Sequence, residues 1–332
     1  LLKATLLRTR SDGDDTADDT ADDTADETVD EIVAGDVGVT AWNSCAGGLP
    51  WGQPLDQRPD NARSITYDWP HTDELMMLAN SEVRLQVRSS APVGHVSVKL
   101  CDVAPDGTST LITRGMLDLA QRGVWPSDPF GRPGAAERPV VPGEWMDLRL
   151  QFEATTWTLV PGHRLRLAIA GTDWPNCWPP SQPFTLGVRR GSVQVTLWTA
   201  VALPAARDAF EPGSGPGDES EGVVWRYETD VLARETRVHT RYGGTYGGTH
   251  GTTVTDVYEG SLGISTVDLS NAWAKGRSRY DLSFVQPDGT TTVCSTEARL
   301  HVRSDREWFH VDLTLQAWRD GAVCGERTWA ER

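Results

Sequence analysis

The stretch Glu82-Val83-Arg84-Leu85-Gln86-Val87-Arg88 sets Val83, Leu85 and Val87 on one side of an extended chain and Arg84, Gln86 and Arg88 on the other. Side chains alternate across a strand, so this is the pattern of a strand with one face in a core and one in water. The period of two returns in Val96, Val98 and Leu100, in Met146, Leu148, Leu150 and Phe152, in Leu165, Leu167 and Ile169, and in Val193, Val195 and Leu197. Between these runs stand Pro105-Asp106-Gly107, Pro142-Gly143 and Pro161-Gly162, where proline fixes φ and glycine accepts what a tight turn requires. Helical periodicity is scarce, and Thr72–Ala79 is expected as a short turn or helix at most. Short alternating strands with Pro/Gly punctuation predict an all-β fold, a jelly-roll β-sandwich from about Asn61 to Ala202.

Beyond Phe210, the run Glu211-Pro212-Gly213-Ser214-Gly215-Pro216-Gly217-Asp218-Glu219-Ser220-Glu221 has the composition of a linker. Alternation then resumes in longer runs at Val223–Arg241, Thr252–Glu259, Arg279–Val285, Thr291–Arg303, Trp308–Trp318 and Ala322–Trp329. With turns at Pro287-Asp288-Gly289 and Asp320-Gly321, these predict a second antiparallel β domain built as a meander. The glycine-rich Tyr242–Gly251 reads as a mobile hairpin loop, since no helix follows it to make a phosphate cradle. The expected organisation is an acidic segment over 1–40, the sandwich over 41–205, a linker over 206–222 and the meander over 223–332.

The formal net charge is −16 over 332 residues, yet Ser11–Glu31 alone carries eleven carboxylates and no basic residue. It contains three copies of Asp-Asp-Thr-Ala between Asp14 and Ala25. Such mutual repulsion with little apolar surface to bury predicts a segment without secondary structure. The acidity argues against nucleic acid or an anionic membrane as a partner, and no apolar run approaches the roughly 20 residues that span a bilayer. The chain opens Leu1-Leu2-Lys3-Ala4 with no Met and no signal-peptide pattern, and reads as a piece of a longer protein. Cys45, Cys101, Cys177, Cys294 and Cys324 are far apart and show no metal-binding spacing, which predicts a reduced, cytoplasmic protein with no metal and no cofactor.

Nucleophilic catalysis leaves a recognisable string, G-x-S-x-G, because small neighbours are needed to expose a hydroxyl on a strained elbow. It does not occur here. Gly213-Ser214-Gly215 lies in the linker and Gly260-Ser261-Leu262-Gly263 in a strand-rich region, so neither provides an elbow. Cys45 has no helix N-terminus behind it to activate a thiol. His163 follows a Pro-Gly turn, while His301 and His310 sit on expected strands, where structural roles suffice.

Longer strings go beyond pattern. Leu100-Cys101-Asp102-Val103-Ala104-Pro105-Asp106-Gly107-Thr108-Ser109-Thr110-Leu111-Ile112-Thr113-Arg114-Gly115 resembles the central strand-turn-strand of the C-terminal domain of X-Pro dipeptidyl-peptidases and CocE/NonD hydrolases. Pro142-Gly143-Glu144, Ala154-Thr155-Thr156-Trp157, Pro161 through Ala170, and Asp173-Trp174-Pro175-Asn176-Cys177-Trp178-Pro179 follow in that family's order and spacing. Gly52-Gln53-Pro54-Leu55-Asp56-Gln57-Arg58-Pro59 is similar to the entry into that domain. The resemblance covers about Trp42 to Ala202, and more weakly the last third. It departs from the family in the acidic repeat and in Gln121-Arg122-Gly123-Val124-Trp125-Pro126, where many relatives carry a more polar stretch with a histidine.

This resemblance implies a galactose-binding-like jelly roll packed on an α/β-hydrolase domain that precedes it in the same polypeptide and holds a Ser-Asp-His triad. No triad member maps onto this chain, so it is expected to be inactive alone. Its role would be to hold that domain and shape its pocket for a small ester, amide or X-Pro peptide. The alternative is a free-standing jelly-roll module that binds carbohydrate or another ligand. Asp173, Trp174, Asn176 and Trp178 are the substrate-binding candidates under either reading, because two indole faces and nearby polar groups on one Pro-rich loop can orient a ligand. Sealing the end of the sandwich is the competing role for the two tryptophans.

Overall fold

The computed structural model describes residues 2–8, 28–41, 56–123, 137–200, 224–248 and 251–332. The Asp-Asp-Thr-Ala repeat, Cys45 and the Glu211–Glu221 run lie outside the described residues. The described residues fall into two compact units, one up to residue 200 and the other from 224 onward.

Two antiparallel sheets form the first unit. One is made of strands that continue one another in pairs: β1 (Leu2–Arg8) with β2 (Val29–Val33), β4 (Leu75–Ala79) with β5 (Glu82–Ser89), β8 (Met146–Gln151) with β9 (Thr155–Leu159), and β11 (Thr185–Arg189) with β12 (Gln194–Ala200). β5 lies between β8 and the β11–β12 row, and β1 and β2 pair with the outer side of that row. The other sheet runs β3 (Ile65–Pro70), β10 (Arg164–Ala170), β6 (His95–Val103), β7 (Ser109–Asp118). The core is the alternation read from the sequence: Val83, Leu85, Val87, Leu148, Leu150, Val195 and Leu197 of the first sheet, with Val96, Val98, Leu100, Leu165, Leu167 and Ile169 of the second, are all buried. The first unit is thus the β-sandwich expected.

Three local expectations change. The chain enters the sandwich well before Asn61, because β1 and β2 pair with β12 and β11. Val29–Glu31, at the end of the segment expected to lack secondary structure, belongs to β2, where Arg190 Nε and Nη2 donate to the Asp30 carboxylate at 2.9 and 2.6 Å and the Tyr67 hydroxyl donates to it at 2.7 Å. Leu75–Ala79 is a strand and not a turn or helix, paired with β9 over its whole length.

The second unit is a seven-stranded antiparallel meander in which each strand pairs with the next. It runs β13 (Val224–Asp230), β14 (Glu235–Gly247), β15 (Thr253–Ser265), β16 (Ala272–Val285), β17 (Thr291–Ser304), β18 (Phe309–Arg319) and β19 (Ala322–Glu331). The single strand expected over Val223–Arg241 is a hairpin, turned by residues without glycine or proline: the Asp230 carboxylate accepts from Leu232 N and Ala233 N, and Arg234 takes φ 54°. The glycine-rich stretch is mostly strand and not a loop, since Tyr242–Gly247 stays in register with Thr253–Tyr258. Gly243 is required there, because a Cβ would strike the backbone carbonyl of Asp256. Among the described residues no helix is long and apolar enough to cross a membrane, and no group of His, Cys, Asp and Glu is placed to hold a metal.

Candidate functional site

Strand β6 is buried on both faces, and this shapes everything around the Asp173 loop. Its outer side carries Lys99, paired across the ladder with Arg114 of β7, and both side chains are sealed from water. Two buried cations side by side require buried anions, or the fold would bear their desolvation uncompensated. Asp60 comes from a short helix, α1 (Arg58–Asn61), and Asp173 from the turn after β10. Lys99 Nζ stands 3.0 Å from Asp60 Oδ2 and 3.5 Å from Asp173 Oδ1, and Arg114 Nη1 stands 3.2 Å from Asp173 Oδ2. The Thr40 hydroxyl and Gly38 N–H also donate to Asp60, at 2.7 and 3.1 Å. Burial opposes ionisation of Asp60, but Lys99 and Thr40 outweigh it and hold the carboxyl below its ordinary range. At Asp173 burial is the larger influence and pushes the carboxyl up, despite Lys99 and Arg114.

The loop is clamped from the other side by Gly35–Ala41. Trp174 N donates to Val37 O at 2.8 Å, Asn176 Nδ2 to Ala41 O at 2.9 Å, and Arg114 Nη1 to Ala41 O at 2.6 Å. A Cβ on Gly38 would collide with Trp174 O and with Asp173, so only glycine allows this approach. The structure therefore brings the four candidate residues together on one loop, but in two settings. Asp173 and Trp174 are 0 and 2% exposed, whereas Asn176 and Trp178 are half-buried and keep some surface. A small cleft of about 160 Å³ beside the loop is lined by His95, Asp118, Thr172, Asp173 and Cys177, among others. Burial disfavours a charged His95, yet Asp118 and Cys177 raise its pKa to about 9.

Lys99, Arg114 and Asp60 escaped the sequence reading because Lys99 alternates with Val96, Val98 and Leu100 and so looks solvent-facing. The signal lay in its neighbours Ser97 and Cys101, small residues on the same side, which suit a covered face. A second arrangement also went unread. His239 Nδ1 is 3.0 Å from Ser261 Oγ, and His239 Nε2 is 3.6 Å from Glu228 Oε1. Serine, imidazole and carboxylate in sequence invite comparison with a nucleophile relay, but acyl transfer also needs amide donors aimed at the developing oxyanion. Ser261 sits mid-strand, paired with His239 on one side and Lys275 on the other, so the backbone amides around it belong to the sheet ladders. His163 Nδ1 meets Asp102 Oδ1 at 2.6 Å, and Trp157 Nε1 donates to Asp102 Oδ2 at 3.0 Å, which ties β9 to β6.

The first unit is thus an antiparallel β-sandwich whose buried charges pair as counter-ions around the Asp173 loop. The X-Pro dipeptidyl-peptidase C-terminal non-catalytic domain family matches residues 3–210, and the chain belongs to it. Residues 3–210 are thus a non-catalytic C-terminal domain of the kind found in CocE/NonD-type hydrolases. A Mycobacterium bovis protein whose name places it among serine esterases is 32% identical over 139 residues, 37% of this chain and 22% of that protein. The cocaine esterase of a Rhodococcus species is 27% identical over 125 residues, 37% of this chain and 20% of the esterase. The chain thus matches about a fifth of the length of these relatives. Among solved structures, an aminopeptidase from a Thaumarchaeota archaeon aligns with TM-score 0.47 and 19% identity, over 60% of this chain and 37% of that one.

Proposed function

We propose that the sandwich packs on an α/β-hydrolase domain of the same polypeptide and walls part of its pocket, acting on small esters, amides or X-Pro peptides through that domain. The observation that carries this reading is the division within the loop. Asp173 and Trp174 anchor it internally while Asn176 and Trp178 keep surface. A tip held by buried ion pairs is preorganised, and contacts from such a tip to a substrate need no further ordering. The four described cysteines, Cys101, Cys177, Cys294 and Cys324, are free, which fits the cytoplasmic setting proposed with it.

The test compares the chain alone with the chain fused behind an α/β-hydrolase domain of the family, assayed on p-nitrophenyl esters and X-Pro anilides. The chain alone is expected to turn over neither, and the fusion at least one. In the fusion, Trp178→Ala and Asn176→Ala are expected to change the ratio of kcat/KM between the two substrates by about fivefold or more. An unchanged ratio with an intact fold would remove the loop from the pocket.

A further inference from the structure

The polar face of the β13–β19 sheet holds a cleft of about 800 Å³ that plays no part in the reading above. Its floor is the backbone of Thr240, Gly260, Gly276 and Leu300, and its walls are two register rows running across the strands. One row is Arg226, His239, Ser261, Lys275, His301 and Asp312, partnered strand by strand from β13 to β18. The other is Val224, Arg241, Glu259, Arg277, Arg299 and Thr314. Five Lys and Arg side chains line the cleft with Glu259 and Asp312, and Glu228 and Glu297 adjoin the same rows, so the charges nearly balance and what matters is which cations are engaged.

In the second row the arginines are already engaged. Arg241 and Arg277 lie 3.5 and 3.1 Å from Glu259, and Arg277 and Arg299 lie 2.9 and 2.8 Å from Glu297. The first row differs. Among the described residues neither Arg226 nor Lys275 has a carboxylate partner, and Lys275 lies over the Trp273 ring, 5.5 Å from its centroid. Between these two cations stand His239 and Ser261, and beyond Lys275 stands His301, groups that exchange hydrogen bonds with hydroxyls. Strands are about 4.8 Å apart, so the row offers one polar group per step, a spacing close to the advance of a linked pyranose chain per ring.

We propose that this cleft binds a linear acidic oligosaccharide lying across the strands, with carboxylates on Arg226 and Lys275 and ring hydroxyls on His239, Ser261 and His301. A chain with a phosphate at every step fits less well, because Glu259 and Asp312 face it from the walls and only two cations are uncommitted. Each ring of a galacturonate chain carries hydroxyls beside its single carboxylate, so it can present hydroxyls to His239 and Ser261 where a phosphate chain presents only charge.

The test is calorimetric titration of the full chain with a galacturonate hexamer, an uncharged glucose hexamer and tripolyphosphate, at low salt and at about 0.15 M salt. The galacturonate hexamer is expected to bind, with the glucose hexamer weaker by about tenfold or more. The double variant Arg226→Glu/Lys275→Glu should lose about tenfold or more in affinity, and Lys275→Arg should keep it. Ser261→Ala should weaken the galacturonate hexamer and leave tripolyphosphate unchanged. Both altered cations are exposed, so folding of the double variant is checked by its unchanged melting curve. Failure of the galacturonate hexamer to bind, equal binding by the double variant, or tighter binding of tripolyphosphate would each overturn the proposal. None of these outcomes bears on the hydrolase assays of the sandwich loop.

Discussion

At the scale of the residue, Asp173 shows how one position can look like a ligand contact in sequence and act as a counter-ion in the fold. The string Asp173-Trp174-Pro175-Asn176 marks an aromatic, polar, proline-bearing loop. Whether the carboxylate points to solvent or to Lys99 and Arg114 depends on residues more than fifty positions away, which no local pattern reports. The clasp has a measurable consequence. Asp173→Asn leaves the buried Arg114 without its carboxylate and Lys99 with Asp60 alone, and loss of one partner of a buried ion pair costs about 3–5 kcal/mol. Asn176→Ala removes one hydrogen bond to Ala41 O at a half-buried site, worth about 1 kcal/mol. Urea unfolding of the two variants is expected to show that order. Equal, small losses would mean that water or another group already neutralises Lys99 and Arg114.

At the scale of the element, strands whose apolar residues alternate were legible, and so were turns carrying Pro-Asp-Gly or Pro-Gly. The elements that escaped lack those signals. Leu75-Met76-Met77-Leu78-Ala79 is continuously apolar and made of good helix formers, and pairing with β9 and β12 overrides that local preference. The Val231–Arg234 turn contains no glycine, so its positive φ falls on Arg234. The acidic insertion is explained by register. Arg8 pairs with Gln194 and Val29 with Arg189, so β1 and β2 lie along one row and the intervening twenty residues interrupt it without shifting it. Loop-closure entropy varies only with the logarithm of loop length. Replacing residues 9–28 by six glycine and serine residues, enough to span the roughly 16 Å between the two strand ends, is therefore expected to raise stability by about 1 kcal/mol. The measurement is the urea midpoint of the first unit, and a loss beyond about 2 kcal/mol would show that the acidic segment makes structural contacts.

At the scale of the whole molecule, the two units are held by different forces, and they should therefore respond differently to solution conditions. The sandwich buries aliphatic side chains from both of its sheets, the kind of burial that supplies most folding free energy. The meander's fully buried apolar residues are few, chiefly Val238, Val254, Ile264, Leu269 and Ala272, and its edge strands β13 and β19 are exposed along nearly their whole length. Its polar face instead converges on Glu297, a buried carboxylate 2.9 Å from Arg277, 3.7 Å from Arg279 and 2.8 Å from Arg299. The hydrogen bond from Arg277 is the largest influence, and with Arg299 it overcomes burial to lower the Glu297 pKa to about 2. A depressed folded-state pKa means that this anchor contributes in full above the ordinary value of 4.5 and is lost as pH falls through about 2. Protonation there also leaves three guanidinium groups close together with less counter-charge. Calorimetry is accordingly expected to show two transitions, the lower belonging to the meander and moving down in temperature between about pH 4.5 and pH 2. Glu297→Gln should lower that transition already at neutral pH, by an amount corresponding to about 1–3 kcal/mol for its charged hydrogen bonds, and should flatten its acid dependence. The upper transition should not respond to Glu297→Gln. A single transition that shifts as a whole would show instead that the two units unfold as one cooperative body, and that the meander draws its stability from the sandwich rather than from its own charge network.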